Sequence, residues 1–345
     1  MVSISEVLLR KVQLVGGSTL AISLPKNWTR RVGLKPGDYV FIALESDGSL
    51  RITPKSRERP KKPETVLTIK REFSKGAVVR EIMSRYLAGY KVIAVRFEGE
   101  AYRYRRYLKD VVYKKLIGVE FLDENVNEIV LQVLVNVEEL PANTILRRMG
   151  RIASGMLIDA VESLDSAVPE KLVDIVERDD EVDKLYLYVL RQLNAVSRGY
   201  LKLNEVGLMG IEETLQYGVV AKSIERIADH AQRIAQCILE MCEQKMVIEP
   251  SMSDTIKDFG KAVRELFRDA VKSFVNRDRV EAHSIIDSAY QKLTKYEREI
   301  IDAMVASRTN AYANMLLRLI VDSIKRVMDY SIDISEATLD LTVKD

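Results

Sequence analysis

The chain has 345 residues, 47% of them hydrophobic and 30% charged, with 53 Lys and Arg against 51 Asp and Glu. That balance excludes a disordered chain and describes a densely charged globular protein with room for two or three domains. No apolar run approaches the ~20 residues a helix needs to cross a bilayer, residues 1–6 lack the order of a secretory signal, and Cys237 and Cys242 alone point to reduced thiols in a cytoplasm. The near-neutral total hides a gradient. Residues 1–62 hold 12 basic and 5 acidic side chains, 63–141 hold 13 and 12, and 142–345 hold 28 and 34. A basic head suits polyanions; an acidic body suits cations.

The head reads as two hairpins around a short helix. Residues 7–15 and 18–24 are predicted strands joined at Gly16-Gly17, a two-residue hairpin signal. Pro25 is placed in the first turn of a helix over 26–32, where its missing N–H costs nothing, and Gly33 closes it. Lys35-Pro36-Gly37-Asp38 is a turn, and strands over 39–44 and 49–53 meet at Ser46-Asp47-Gly48. Fifty such residues bury too little surface alone, which predicts dimerisation. The run Gly17-Ser18-Thr19-Leu20-Ala21-Ile22-Ser23-Leu24-Pro25-Lys26, followed by Gly33-Leu34-Lys35-Pro36-Gly37-Asp38, resembles the AbrB/SpoVT DNA-binding domain. The resemblance implies a swapped-hairpin β barrel over residues 1–55, built by two chains, whose surface bases meet DNA. Lys11, Lys26, Arg30, Arg31 and Lys35 are the candidates for phosphate contact.

A proline-rich charged linker over 56–63 leads to an α+β spacer domain over 64–140. Its predicted strands are 65–70, 91–97, 118–122 and 129–137, with helices over 74–87 and 102–116. The run Tyr102-Arg103-Tyr104-Arg105-Arg106-Tyr107 mixes aromatics with bases, which suits single-stranded nucleic acid, but it reads first as a solvated helix face with half-buried tyrosines.

From residue 143 the pattern is helical and it repeats. Met149-Gly150 and Asp159-Ala160-Val161 realign 110 residues later with Phe259-Gly260 and Asp269-Ala270-Val271; Ser223 to His230 realigns 100 residues later with Ser323 to Tyr330. Breaks near 168–169, 203–210, 249–250 and 307–310 give six helices. These form two antiparallel three-helix bundles, about 143–248 and 251–342.

The first repeat carries two acidic pairs, Asp179 with Asp183 and Glu225 with Asp229, each four residues apart on one helix face. Like charges so placed are unfavourable by a few tenths of a kcal/mol unless a cation lies between them. If both faces meet one groove, an oxygen-rich cluster forms that suits a hard or borderline divalent cation. His230 alone reads as an interface histidine rather than a ligand, and His283 is given no role. The run Val176-Glu177-Arg178-Asp179-Asp180-Glu181-Val182-Asp183, with Glu225-Arg226-Ile227-Ala228-Asp229-His230, resembles the PhoU family of phosphate-uptake regulators. It implies tandem three-helix bundles over 143–345 with Asp179, Asp183, Glu225 and Asp229 as metal ligands. The ion would be magnesium, zinc, iron or manganese. This sequence departs from the pattern at Gln236, at Lys325, which replaces the first acid of the second repeat, and at Tyr330. Asp329, Glu336 and Asp287 remain there, so one competent site is expected rather than two.

The whole order resembles archaeal PhoU-type regulators with an AbrB-type head. That implies a multidomain α+β, cytoplasmic homodimer without stable membrane insertion and without enzymatic activity. Its body would bind divalent metal and meet the ATPase side of a phosphate ABC transporter, while its head would bind promoter DNA. The alternative is a transporter accessory protein whose head only dimerises. A third reading, a metallohydrolase of phosphate esters, lacks a general base or arginine clamp beside the acids.

Overall fold

A computed structural model describes residues 8–44, 48–55, 64–306 and 311–343, without the side chains at 292–294, 297 and 306. The expected features at residues 1–6, 46–47, 56–63 and 307–310 lie outside the described residues. Two compact units emerge, residues 1–62 and 63–345.

In the first unit β1 (Gln13–Val15) pairs antiparallel with β2 (Thr19–Ala21), and β3 (Val40–Leu44) with β4 (Leu50–Pro54). Val15 stands opposite Thr19, so the first turn takes in Ser18 and has three residues rather than the expected two. Gly16 and Gly17 both hold positive φ there, 63° and 84°, a conformation a Cβ would resist. Between the hairpins, α1 (Lys26–Val32) starts after Pro25. That proline caps the helix with an extended ψ of 126° instead of entering its first turn. Gly33 ends the helix at φ 73°. The unit has almost no interior: Leu14, Leu20, Tyr39, Phe41, Ile42 and Leu44 are each more than 60% exposed.

In the second unit a four-stranded sheet runs in the order β5 (Glu64–Ile69), β6 (Val92–Phe97), β8 (Glu128–Val133), β7 (Val119–Glu124). The first pair is parallel, as the crossover through α2 (Lys75–Leu87) requires, and the others are antiparallel. Ser74 caps α2 by accepting from Ala77 N–H at 3.2 Å. Alternate strand residues Leu67, Ile69, Ile93, Val95, Ile129 and Leu131 are buried, as are Val78 and Ile82 of α2 and Leu108 and Val112 of α3 (Arg105–Lys115). Of the tyrosine-arginine run only Tyr104 enters this layer, while Tyr102 and Tyr107 stay exposed. Tyr104 is buried beneath Arg103, and Lys75 lies 5.4 Å over the Tyr107 ring.

Six long helices follow: α4 (Ala142–Glu162), α5 (Pro169–Ser197) and α6 (Glu213–Glu243), then α7 (Pro250–Asn276), α8 (Arg279–Ala306) and α9 (Ala311–Leu341). Pro169 and Pro250 begin α5 and α7, where a missing N–H is harmless. The repeat in the sequence becomes a reciprocal contact between α4 and α7. A Cβ on Gly150 would lie 3.0 Å from Val271 Cγ1, and one on Gly260 2.7 Å from Val161 Cγ1. Gly150 matches Gly260 and Val161 matches Val271 in the duplication, so each glycine receives the other copy's valine.

The sequence divides the α+β layer from the helical body, whereas in the structure they share one compact unit. The joint is α2 on α5. Buried Arg191 donates to the carbonyls of Tyr86 and Gly89 and lies 4.8 Å over the Tyr86 ring. Gly89, at φ 87°, lets the backbones close, since an added Cβ there would lie 2.9 Å from Ala195 Cβ. Lys114 of α3 adds an ion pair to Asp180 of α5 at 2.8 Å.

Candidate metal centre

Period-3.6 geometry places Asp179 and Asp183 one turn apart on α5, and Glu225 and Asp229 one turn apart on the α6 helix packed beside it. Three of the four meet. One carboxylate oxygen from each of Asp183, Glu225 and Asp229 lies within 4.8 Å of the others, and among the described residues this is the one such group. Asp183 is half-buried, Glu225 buried and Asp229 exposed, so the group opens to solvent on one side.

Asp179 stands one turn behind. Its Oδ2 accepts from Gln232 Nε2 at 2.9 Å, and Gln232 also reaches Val176 O at 3.3 Å. Its Oδ1 is buried without any partner. Burial first, then the charges of Asp229, Asp183 and Glu225, push the Asp179 carboxyl up to about 7. Asp229 is pushed up to about 6 by burial and then by Glu225 and Asp183. Asp183 is raised by burial and Glu225, against the pull of Lys115 at the end of α3. Burial and mutual repulsion thus favour the neutral form of Asp179, Asp183 and Asp229.

Two residues that the spacing did not single out complete the surroundings. Lys222, three residues before Glu225, donates to both its carboxylate oxygens at 2.6 Å and sits 5.0 Å over the Tyr186 ring. Gln232 lies three residues beyond Asp229. Residues 222, 225, 229 and 232 form one helical stripe, a signal present in the sequence. His230 faces elsewhere: its ring centroid is 5.9 Å from that of Tyr330 on α9. Burial, then Arg233, Arg326 and Arg226, hold its pKa down to about 4, so it is neutral at pH 7.

The donor set suits a divalent cation. All its atoms are oxygens, they sit close enough to share one ion, and the orphaned Asp179 Oδ1 lacks a positive partner. Lys222 supplies only part of the charge needed. The second repeat differs. Arg326 pairs with Asp329 at 3.2 Å and donates to Tyr330 Oη at 3.2 Å, while Asp287 is exposed on α8. Asp333, four residues beyond Asp329, is raised by burial and then by Asp329.

In the head, Lys26, Arg30 and Arg31 are exposed on α1, and Lys11 and Lys35 are exposed before β1 and after α1. Lys35 N–H donates to Asp38 Oδ2 at 2.8 Å, fixing the turn that carries it. No helix among the described residues is long and apolar enough to cross a membrane.

Residues 146–238 match the PhoU domain, and residues 13–60 match the antidote-toxin recognition domain of MazE, a bacterial antitoxin. A phosphate-specific transport system accessory protein PhoU homolog of Clostridium acetobutylicum is 21% identical over 210 residues, covering 59% of this chain and 91% of that protein. One from Caulobacter vibrioides is 29% identical over 110 residues, covering 31% of this chain and 45% of its own length. The crystal structure of the phosphate transport system regulatory protein PhoU from Streptococcus pneumoniae superposes with a TM-score of 0.50 at 15% identity, over 61% of this chain and 96% of that one, a likeness of fold. Residues 146–238 are thus a PhoU domain and residues 13–60 a MazE/AbrB-type domain, joined in one chain.

Proposed function

We propose that this protein regulates phosphate uptake: its helical body holds a divalent cation, its head touches promoter DNA, and it works as a homodimer against the ATPase side of a phosphate ABC transporter. The observation that carries the proposal is the convergence of Asp183, Glu225 and Asp229 from two helices, with Asp179 half a site behind, in a chain whose relatives are named for phosphate transport. Those three carboxylates would ligate the ion, and its charge would cancel their repulsion. No catalytic step is assigned to it. The uncovered apolar side chains on both faces of β3, Phe41 and Ile42, support dimerisation of the head, because a lone two-stranded hairpin has no core. The exposed bases of α1 support contact with phosphate oxygens.

Elemental analysis of the purified protein and calorimetric titration with manganese test the first part. One class of sites per chain is expected, lost in Asp183→Ala/Asp229→Ala; undiminished binding in that variant ends the assignment. The same dimerisation also favours the narrower reading, in which the head dimerises without touching DNA. Titration of DNA at rising salt separates the two, since absence of binding at low salt leaves only the narrower one.

A further inference from the structure

Beside the carboxylate group, but outside it, a groove of about 830 Å3 opens between α5, α6 and α9. Its α5 wall is Leu190, Leu193, Asn194 and Ser197, at spacings of three, four and seven from the first. Its α6 wall is Leu215, Val219, Lys222 and Arg226, at four, seven and eleven. Its α9 wall is Arg326, Tyr330 and Asp333, at four and seven. Each set is one stripe of one helix. Three such stripes around a trough reproduce the seat that a bundle offers to a further helix.

The lining changes character along its length. Leu215 is 69% exposed and Val219 41%, aliphatic side chains with nothing over them, and Gly218 between them has no side chain to raise the floor. Two turns on, Lys222, Arg226 and Arg326 bring three cations against the single carboxylate of Asp333. Lys222 and Arg326 are engaged by Glu225 and Asp329. Arg226 is exposed, and its charge acts on Asp229, three residues on.

We infer that this groove seats an amphipathic helix of a partner protein, apolar where it meets Leu215 and Val219 and acidic where it meets Lys222, Arg226 and Arg326. Apolar anchors at helical spacing hold the helix in place, and the charge imbalance sets the direction in which it lies. The three helical stripes and the open trough favour a helix over a compact ligand. Leu215 and Arg226 are not members of the carboxylate group, whereas Lys222 borders both by pairing with Glu225.

The test uses the full-length protein and a fluorescein-labelled peptide of about 18 residues, five helical turns, with leucine at heptad a and d positions and glutamate flanking them in one half. A second peptide carries lysine in place of glutamate. Fluorescence anisotropy is expected to show the acidic peptide binding at least about tenfold more tightly than the basic one. Arg226→Glu should weaken the acidic peptide by about tenfold, and Leu215→Asp, at a position exposed enough to leave folding intact, should remove binding. Circular dichroism confirms the fold of each variant. Equal binding of the two peptides, or unchanged binding in both variants, overturns the proposal. So does displacement of the peptide by ATP, which marks a nucleotide site, or self-association of the free protein that Arg226→Glu abolishes, which marks a second copy as the occupant.

Discussion

Replacing Gly260 with alanine sets two effects against each other at the crossing of α4 and α7. In a helix interior alanine is better than glycine by about 0.5–1 kcal/mol, because it loses less backbone freedom. Here the new Cβ would lie 2.7 and 2.8 Å from the two methyls of Val161, which is fully buried and has no room to turn away. Overpacking of that kind costs roughly 1–3 kcal/mol, so Gly260→Ala should destabilise by up to about 2 kcal/mol. In a Val161→Ala background both methyls are gone and the remaining Cβ lies 3.3 Å away. There the same substitution should be neutral or stabilising. The double-mutant cycle, read from urea unfolding, should give a coupling of about 1–3 kcal/mol, with the sign of Gly260→Ala reversing. Gly150→Ala, whose Cβ would sit 3.0 Å from one Val271 methyl, should cost less. If Gly260→Ala destabilises equally in both backgrounds, the close crossing of the repeats is refuted.

Three further outcomes follow from the carboxylate group and the head. Lys222→Gln removes a cation 2.6 Å from both Glu225 oxygens and should strengthen manganese binding about tenfold, measured by calorimetry; weaker binding would mean that the lysine orients Glu225 rather than competing for it. Asp179, held at about 7 against an ordinary 3.8, keeps its proton more tightly folded than unfolded, so its contribution to stability falls as pH rises between those values. Chelator-treated protein should therefore gain melting temperature at about pH 8 from Asp179→Asn and little at about pH 4; an equal gain at both pH values would contradict the shift. For DNA, Arg30→Ala/Arg31→Ala should flatten the salt dependence of the binding constant by about 0.9 for each phosphate that the variant no longer neutralises, whereas weaker binding at constant slope would place these arginines away from phosphate.

Much of the site was legible before any coordinates. Asp179, Asp183, Glu225 and Asp229 could be paired from a four-residue spacing alone, because helical period fixes which residues share a face. The period does not say how far each turn sits from its neighbour across the groove. That distance leaves Asp179 bound to Gln232 while Asp183, Glu225 and Asp229 come together. Lys222 and Gln232 lie on the same stripe and were readable in principle, but polar side chains on a helix face do not declare what they touch. Arg191 gave less warning still: a lone arginine in an amphipathic helix normally faces water, and only the arrival of Tyr86 and Gly89, 105 and 102 residues away, makes it a buried joint.

By itself the sequence determined the elements and their duplication: hairpins from glycine turns, helix starts at Pro169 and Pro250, and two copies of a three-helix unit, all set by local backbone sterics and by periodic burial. Tertiary structure alone decided that the copies cross through Gly150 and Gly260, that the α+β layer rests on α5, and that α5, α6 and α9 leave a charged groove open between them. Those outcomes depend on distances between segments far apart in the chain, which close packing fixes and local preference does not.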